Sequence, residues 1–180
     1  MIENYTHLIC NSFVEQKKSA FQGFSEAAES LDYPRMSKCL SEILEEHETL
    51  LDKERVIQAI LYADFLKFGL KPKLETITGD KYFIDIILEG LEEAIYIFEL
   101  KFKSSAEAAI KQLKSRSYCR DYLEKSKKQV IAVGLNYTPK KGVTALFQTI
   151  GLRGKKPDYH LAYRFPPKIG TKGFSKTSHS

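Results

Sequence analysis

The chain has 180 residues, 43% of them hydrophobic, with 11 Phe and 10 Tyr, which is enough to build one core without disulfides or a structural metal. Three widely spaced cysteines without a CxxC pair, and only four histidines, speak against a zinc site; with no basic, apolar leader and no run near the ~20 residues of a membrane span, a reduced, cytoplasmic chain away from membranes is expected, secretion without a signal aside. The net charge of +5 hides an asymmetry: residues 1–100 hold 10 Lys+Arg against 19 Asp+Glu, and residues 101–180 hold 18 against 4, so the second half has the charge that suits a polyanion.

In chain order, residues 6–31 carry Leu8, Phe13, Phe21, Phe24 and Ala27-Ala28 at helical spacing, with a weak point expected at Gly23. Tyr33-Pro34 opens a second helix, since proline is tolerated in a first turn. Met36, Leu40, Ile43 and Leu44 form its apolar stripe, and Glu42, Glu45, Glu46 and Glu48 fill the rest. A third helix spans about Lys53 to Phe68, with Val56, Ile57, Ile60, Leu61 and Phe65 on one side and Gly69 as its stop. Strands follow near residues 73–78, 81–88 and 94–102, where β-branched and aromatic residues dominate. Ser104-Ser105 can cap a helix of about 106–123, whose Ala106, Ala109, Ile110 and Leu113 make a face small enough to lie close on a sheet. Residues 130–137 and 143–150 read as two more strands, and 158–165 as a short edge strand. Pro166 onward reads as a basic tail.

Helices, three strands, a helix and two strands predict an α/β domain, with a mixed sheet of about five strands and flanking helices. The domain is expected over residues 1–150, its N-terminal helical segment over about 1–50, and a basic, Gly/Pro-containing extension over 151–180. No Rossmann fingerprint, P-loop or GxSxG is present.

Chemistry concentrates in two of the strands. Asp85 lies in Phe83-Ile84-Asp85-Ile86-Ile87-Leu88, and Glu99 and Lys101 lie in Ile95-Tyr96-Ile97-Phe98-Glu99-Leu100-Lys101. Side chains alternate along a strand, so Glu99 and Lys101 share a face, and a hairpin through residues 89–93 can bring Asp85 beside Glu99. Charged strand residues usually form a solvated face. Here Ile95 and Ile97 share the face of Glu99 and Lys101, while Tyr96, Phe98, Leu100 and Phe102 make the other face apolar, so the strand is expected to be buried on both sides. Buried carboxylates are generally paired or hold a metal. Two carboxylates and a lysine on one sheet face suit magnesium-dependent phosphodiester hydrolysis.

These residues resemble motifs II and III of the PD-(D/E)XK nuclease superfamily. Ala108–Tyr118, with Gln112, Arg116 and Tyr118, resembles the helix that follows in that superfamily, and Val133-Gly134-Leu135-Asn136-Tyr137 the apolar strand after it. The similarity, over roughly residues 20–150, is to a small branch often attached to AAA-ATPase-like modules. It implies a restriction-endonuclease-like core and Mg²⁺ (Mn²⁺ as a substitute), held by Asp85, Glu99, the Leu100 carbonyl and Glu54, the motif I acid. It also implies Asp85, Glu99, Lys101 and Gln112 as catalytic residues of an endo- or exonuclease. DNA is the expected partner, with RNA as the alternative, gripped by Lys103, Lys111, Lys114, Arg116 and Arg120 through backbone phosphates.

The sequence departs from that branch at Tyr82-Phe83, where Gly-Arg is usual, and no ATPase module accompanies it. A catalytically inactive module binding nucleic acid or a protein is the rival reading. The acidic N-terminal helices offer a surface to a basic protein partner, and a homodimer is compatible with cutting two strands. Glu54 could instead be a first-turn acid placed by the helix dipole, Glu75 an alternative ligand, His47 and His160 surface residues, and Cys119 part of the core.

Overall fold

Apolar residues run almost without interruption through the middle of the chain, and there the sheet forms. The computed structural model describes residues 20–77, 83–89, 91–115, 119, 122–123, 126–150 and 163–165. Its strands are β1 (Pro72–Ile77), β2 (Phe83–Leu88), β3 (Ala94–Phe102), β4 (Gln129–Thr138), β5 (Gly142–Ile150) and β6 (Tyr163–Phe165). They lie side by side in chain order. Among the described strands only β3 and β4 pair in parallel; the other four pairings are antiparallel. A parallel pair needs a crossover, and helix α4 (Ala106–Ser115) supplies it. This mixed sheet with flanking helices is the restriction-endonuclease-like α/β architecture expected from the sequence, with the short β6 added at the edge beside β5.

Among the described residues three α-helices precede the sheet: α1 (described over 20–29), α2 (Tyr33–Glu45) and α3 (Glu54–Lys67). Asp32 caps α2 by accepting the Arg35 N–H at 3.1 Å, and Pro34 lies in its first turn. Gly69, just past α3, takes the left-handed φ of 83° that glycine adopts without steric cost. The weak point expected at Gly23 does not exist: helix runs through it. A Cβ at this position would lie 3.2 Å from Cys39 Sγ, so the missing side chain lets α1 and α2 touch.

The sheet separates two apolar layers. The larger holds Phe21, Phe24, Met36, Leu40, Leu61 and Phe65 of α1–α3 against Ile86, Tyr96, Phe98, Leu100, Val133 and Phe147. The buried Tyr96 hydroxyl donates to the Ala28 carbonyl at 2.7 Å, so its polar end is satisfied. The smaller layer packs Ile110 and Leu113 of α4, with Cys119, against Ile87, Ile95, Ile97, Val130 and Ala132. β3 is therefore covered on both faces, as its composition requires.

Candidate active site

The site lies where β2 and β3 part company. Their pairing runs from Leu88↔Tyr96 to Ile86↔Phe98 and stops one residue short of Asp85 and Glu99. Past that point side chains take over. Asp85 Oδ2 accepts the Leu100 main-chain N–H at 2.7 Å. Lys101 Nζ donates to Glu99 Oε1 at 3.0 Å and to the Leu100 carbonyl at 2.9 Å, and stands 3.6 Å from Glu54 Oε2. The other Glu54 oxygen accepts the Phe102 N–H at 3.4 Å, so this first-turn acid faces β3 rather than open water alone. Burial is graded across the group. The Glu99 side chain is 3% exposed, Lys101 15% and Glu54 47%. A carboxylate as deep as Glu99 needs a cation or donors nearby, and the ammonium two residues on provides one.

The structure thus brings together Asp85, Glu99, Leu100, Lys101 and Glu54. Gln112 is half-buried on α4, and among the described hydrogen bonds none joins its side chain to these residues. Lys103, Lys111 and Lys114 are exposed, the first just past β3 and the other two on α4. Lys103 takes a left-handed φ of 55°, held by its N–H donating to the Tyr137 carbonyl at 2.9 Å, and its Nζ stands 4.9 Å from the Phe102 ring centroid. Arg116, Tyr118, Arg120 and His160 lie outside the described residues, as does the side chain of Glu75. His47 is corrected: it is not a plain surface histidine but half-buried, 3.3 Å from Asp64 Oδ2. Cys119 is buried, as expected.

Three residues that shape the site carry no functional expectation from the sequence. Gln58, one helical turn after Glu54, donates its Nε2 to the Asp85 carbonyl at 2.8 Å. The available signal was the spacing, because residues four apart share a helix face. Asn136, paired with Lys101 across β3 and β4, accepts the Ser104 N–H at 3.0 Å and donates to Thr138 Oγ1 at 3.1 Å, fixing the turn from β3 into α4. Gly134, paired with Glu99, admits α4 against the sheet: a Cβ there would lie 2.3 Å from the Ala106 carbonyl oxygen.

Among the described residues two cavities lie nearby. A polar one of about 250 Å³, between the N-terminal end of α4 and β4–β5, is lined by Ser104, Asn136, Thr138 and Lys141 among others. A larger, open one of about 520 Å³ lies on the outer side of α3 and is lined by neither Asp85, Glu99 nor Lys101. Volume alone would choose the second; the converging charged groups are elsewhere.

The donors fit a hard divalent cation in kind. Asp85, Glu99, Glu54 and the Leu100 carbonyl offer only oxygen, which Mg²⁺ prefers. Three of the four already face one cation, the Lys101 ammonium. Among the described residues no group of three His, Cys, Asp or Glu side chains is gathered to hold a metal.

A sequence model of the PD-(D/E)XK nuclease superfamily matches residues 52–146, the stretch from just before Glu54 to the middle of β5. The chain belongs to the PD-(D/E)XK nuclease superfamily. Its members are usually nucleases and typically use divalent metals, which gives this chain a nuclease-type assignment and nucleic acid as its natural class of partner. No curated protein and no solved structure matches the chain. Among the described residues no helix is long and apolar enough to cross a membrane.

Proposed function

We propose that this protein is a metal-dependent nuclease that hydrolyses DNA phosphodiester bonds. The observation that carries this reading is the convergence of Glu99, the Leu100 carbonyl and Glu54 on Lys101 Nζ, with Asp85 tied to the Leu100 N–H in the same place. Asp85, Glu99, Glu54 and the Leu100 carbonyl would hold Mg²⁺. When bound, the ion polarises a phosphate oxygen and lowers the pKa of a water molecule.

The chain's own residues do the rest. The Leu100 N–H fixes the orientation of the Asp85 carboxylate. Lys101, drawn away from Glu99, carries positive charge to the phosphate where negative charge grows in the transition state. Lys103, Lys111 and Lys114 hold the nucleic-acid backbone, giving affinity with little sequence preference. The two described cysteines, Cys39 and Cys119, are buried thiols, in keeping with a reducing cytoplasm.

One observation favours the rival, non-cleaving reading: Tyr82-Phe83 replace the Gly-Arg usual in the branch this sequence resembles. The two readings separate in a cleavage assay on plasmid and single-stranded DNA, and on RNA, with Mg²⁺ or Mn²⁺. The wild type should cleave DNA only with metal, and Lys101→Met should lose about 10²–10³-fold in rate, the usual cost of removing one charge-stabilising group. Nucleic-acid binding without cleavage, unchanged by EDTA, would establish the rival. Equal residual cleavage by both proteins would mark a contaminant.

A further inference from the structure

We infer that Gln58 is a positioning residue of the metal site: its side-chain amide sets where the Asp85 carboxylate stands. This rests on the reading of Asp85 as a metal ligand given above. α3 buries Ile57, Leu61 and Phe65 against the core, and Gln58 is buried among them, 8% exposed. A neutral amide in such surroundings is costly unless it makes hydrogen bonds. Its Nε2 donates 2.8 Å to the Asp85 main-chain carbonyl.

That carbonyl lies one residue beyond the last β2–β3 pair, where ladder hydrogen bonds no longer set the distance between the strands. Side chains act there instead, one crossing the opening and two tying α3 to its two sides. Asp85 Oδ2 reaches the Leu100 N–H, Gln58 reaches β2, and Glu54, one turn earlier on the same helix, reaches β3 at Phe102. α3 therefore grips both strand ends from one face, and Gln58 is the grip on the strand that bears Asp85. The residue type suits the task. An amide donates without bringing a positive charge that would oppose a divalent ion, and a carboxylate would repel the carbonyl.

The test is Mn²⁺ affinity by titration calorimetry on the whole chain, beside steady-state cleavage. Gln58→Met keeps the length and removes the donor; Gln58→Glu keeps the shape and removes it at neutral pH. Both should raise the Mn²⁺ Kd about tenfold, the lower range for losing a group that holds a ligand, and lower kcat while KM for DNA stays unchanged. In the wild type, the Gln58 side-chain amide signals in ¹⁵N spectra should shift during a Mg²⁺ titration in step with the Asp85 and Leu100 main-chain amides. This second measurement decides the matter if neither variant folds.

Wild-type Mn²⁺ affinity in a folded Gln58→Met protein, or Gln58 signals that stay still while Asp85 moves, would overturn the inference and leave the metal reading intact. Asp85→Asn is the control for that reading. If it binds Mn²⁺ as the wild type does, or if the wild type binds none, the metal reading fails and the role of Gln58 fails with it.

Discussion

Lys101 is tied to three oxygens that a divalent ion would also seek, so its charge serves the folded protein whatever its part in the proposed hydrolysis. With its side chain 15% exposed and that of Glu99 3% exposed, the pair is well shielded from water. Removing the ammonium from beside a buried carboxylate is destabilising, by roughly 2 kcal/mol here after allowance for the exposed end of the lysine. In EDTA, Lys101→Met should therefore melt about 4–8 °C below the wild type. On the proposed metal reading, added Mn²⁺ should narrow the gap, because the ion would take the place the ammonium left; differential scanning calorimetry with and without metal checks both statements. A gap unaltered by Mn²⁺ would place the ion's site away from Lys101.

Cys119 gives a second test at this scale. Burial in the layer beneath α4 pushes its thiol up to about 12. The neutral form is favoured in the fold, so the contribution is fully present below the ordinary thiol value of about 8.5 and is lost as pH rises toward about 12. The unfolding free energy from urea titrations should fall across that window, and less steeply in Cys119→Ala. Iodoacetamide at pH 8 should leave Cys119 unmodified in the native protein, as peptide mapping would show.

Elements owe their placement to a few close approaches. α4 lies on the sheet through Ala106, Ala109, Ile110 and Leu113, all buried, and Gly134 is the facing residue that lets it do so. In Gly134→Ala the new methyl would meet the Ala106 carbonyl and the Ile110 side chain, and helix backbone cannot swing aside as a flexible side chain can. A loss of about 1–3 kcal/mol is expected by urea denaturation, with changed amide signals confined to α4 and its neighbours on the sheet.

The small-residue face of α4 could be read from the sequence, as could β3, whose bounds coincide with the expected 94–102 because both of its faces are apolar. The hairpin argument also put Asp85 next to Glu99. The end of the ladder at Ile86↔Phe98 could not be read, because it depends on how the strands are placed in three dimensions and not on their composition. Gln58 had only its spacing from Glu54 as a signal, since its partner is a main-chain carbonyl 27 residues away. His47 and Asp64 likewise meet only through the packing of the segment after α2 on α3. At Gly23 the general rule that glycine weakens helices gave the wrong expectation, since the contact with Cys39 makes the small residue useful.

At the scale of the whole molecule, the charge asymmetry of the sequence becomes an asymmetry between the two sides of the sheet. α1–α3, from the acidic half, cover the layer that includes Phe98 and Val133; α4, from the basic half, covers the other, with Lys111 and Lys114 outward. Nucleic acid should approach from the α4 side. With about four phosphate contacts from Lys101, Lys103, Lys111 and Lys114, affinity should fall on the order of 10²-fold between 50 and 200 mM salt. Lys111→Gln with Lys114→Gln should flatten that slope by about two contacts in fluorescence anisotropy titrations, and an unchanged slope would move the binding surface elsewhere.

The same division has a practical side. Lys38 on α2 projects into solvent from the acidic side, with the whole thickness of the sheet between it and α4. A dye or surface tether anchored there would stand on the face opposite α4, so single molecules could be immobilised and watched with the lysines of α4 left accessible.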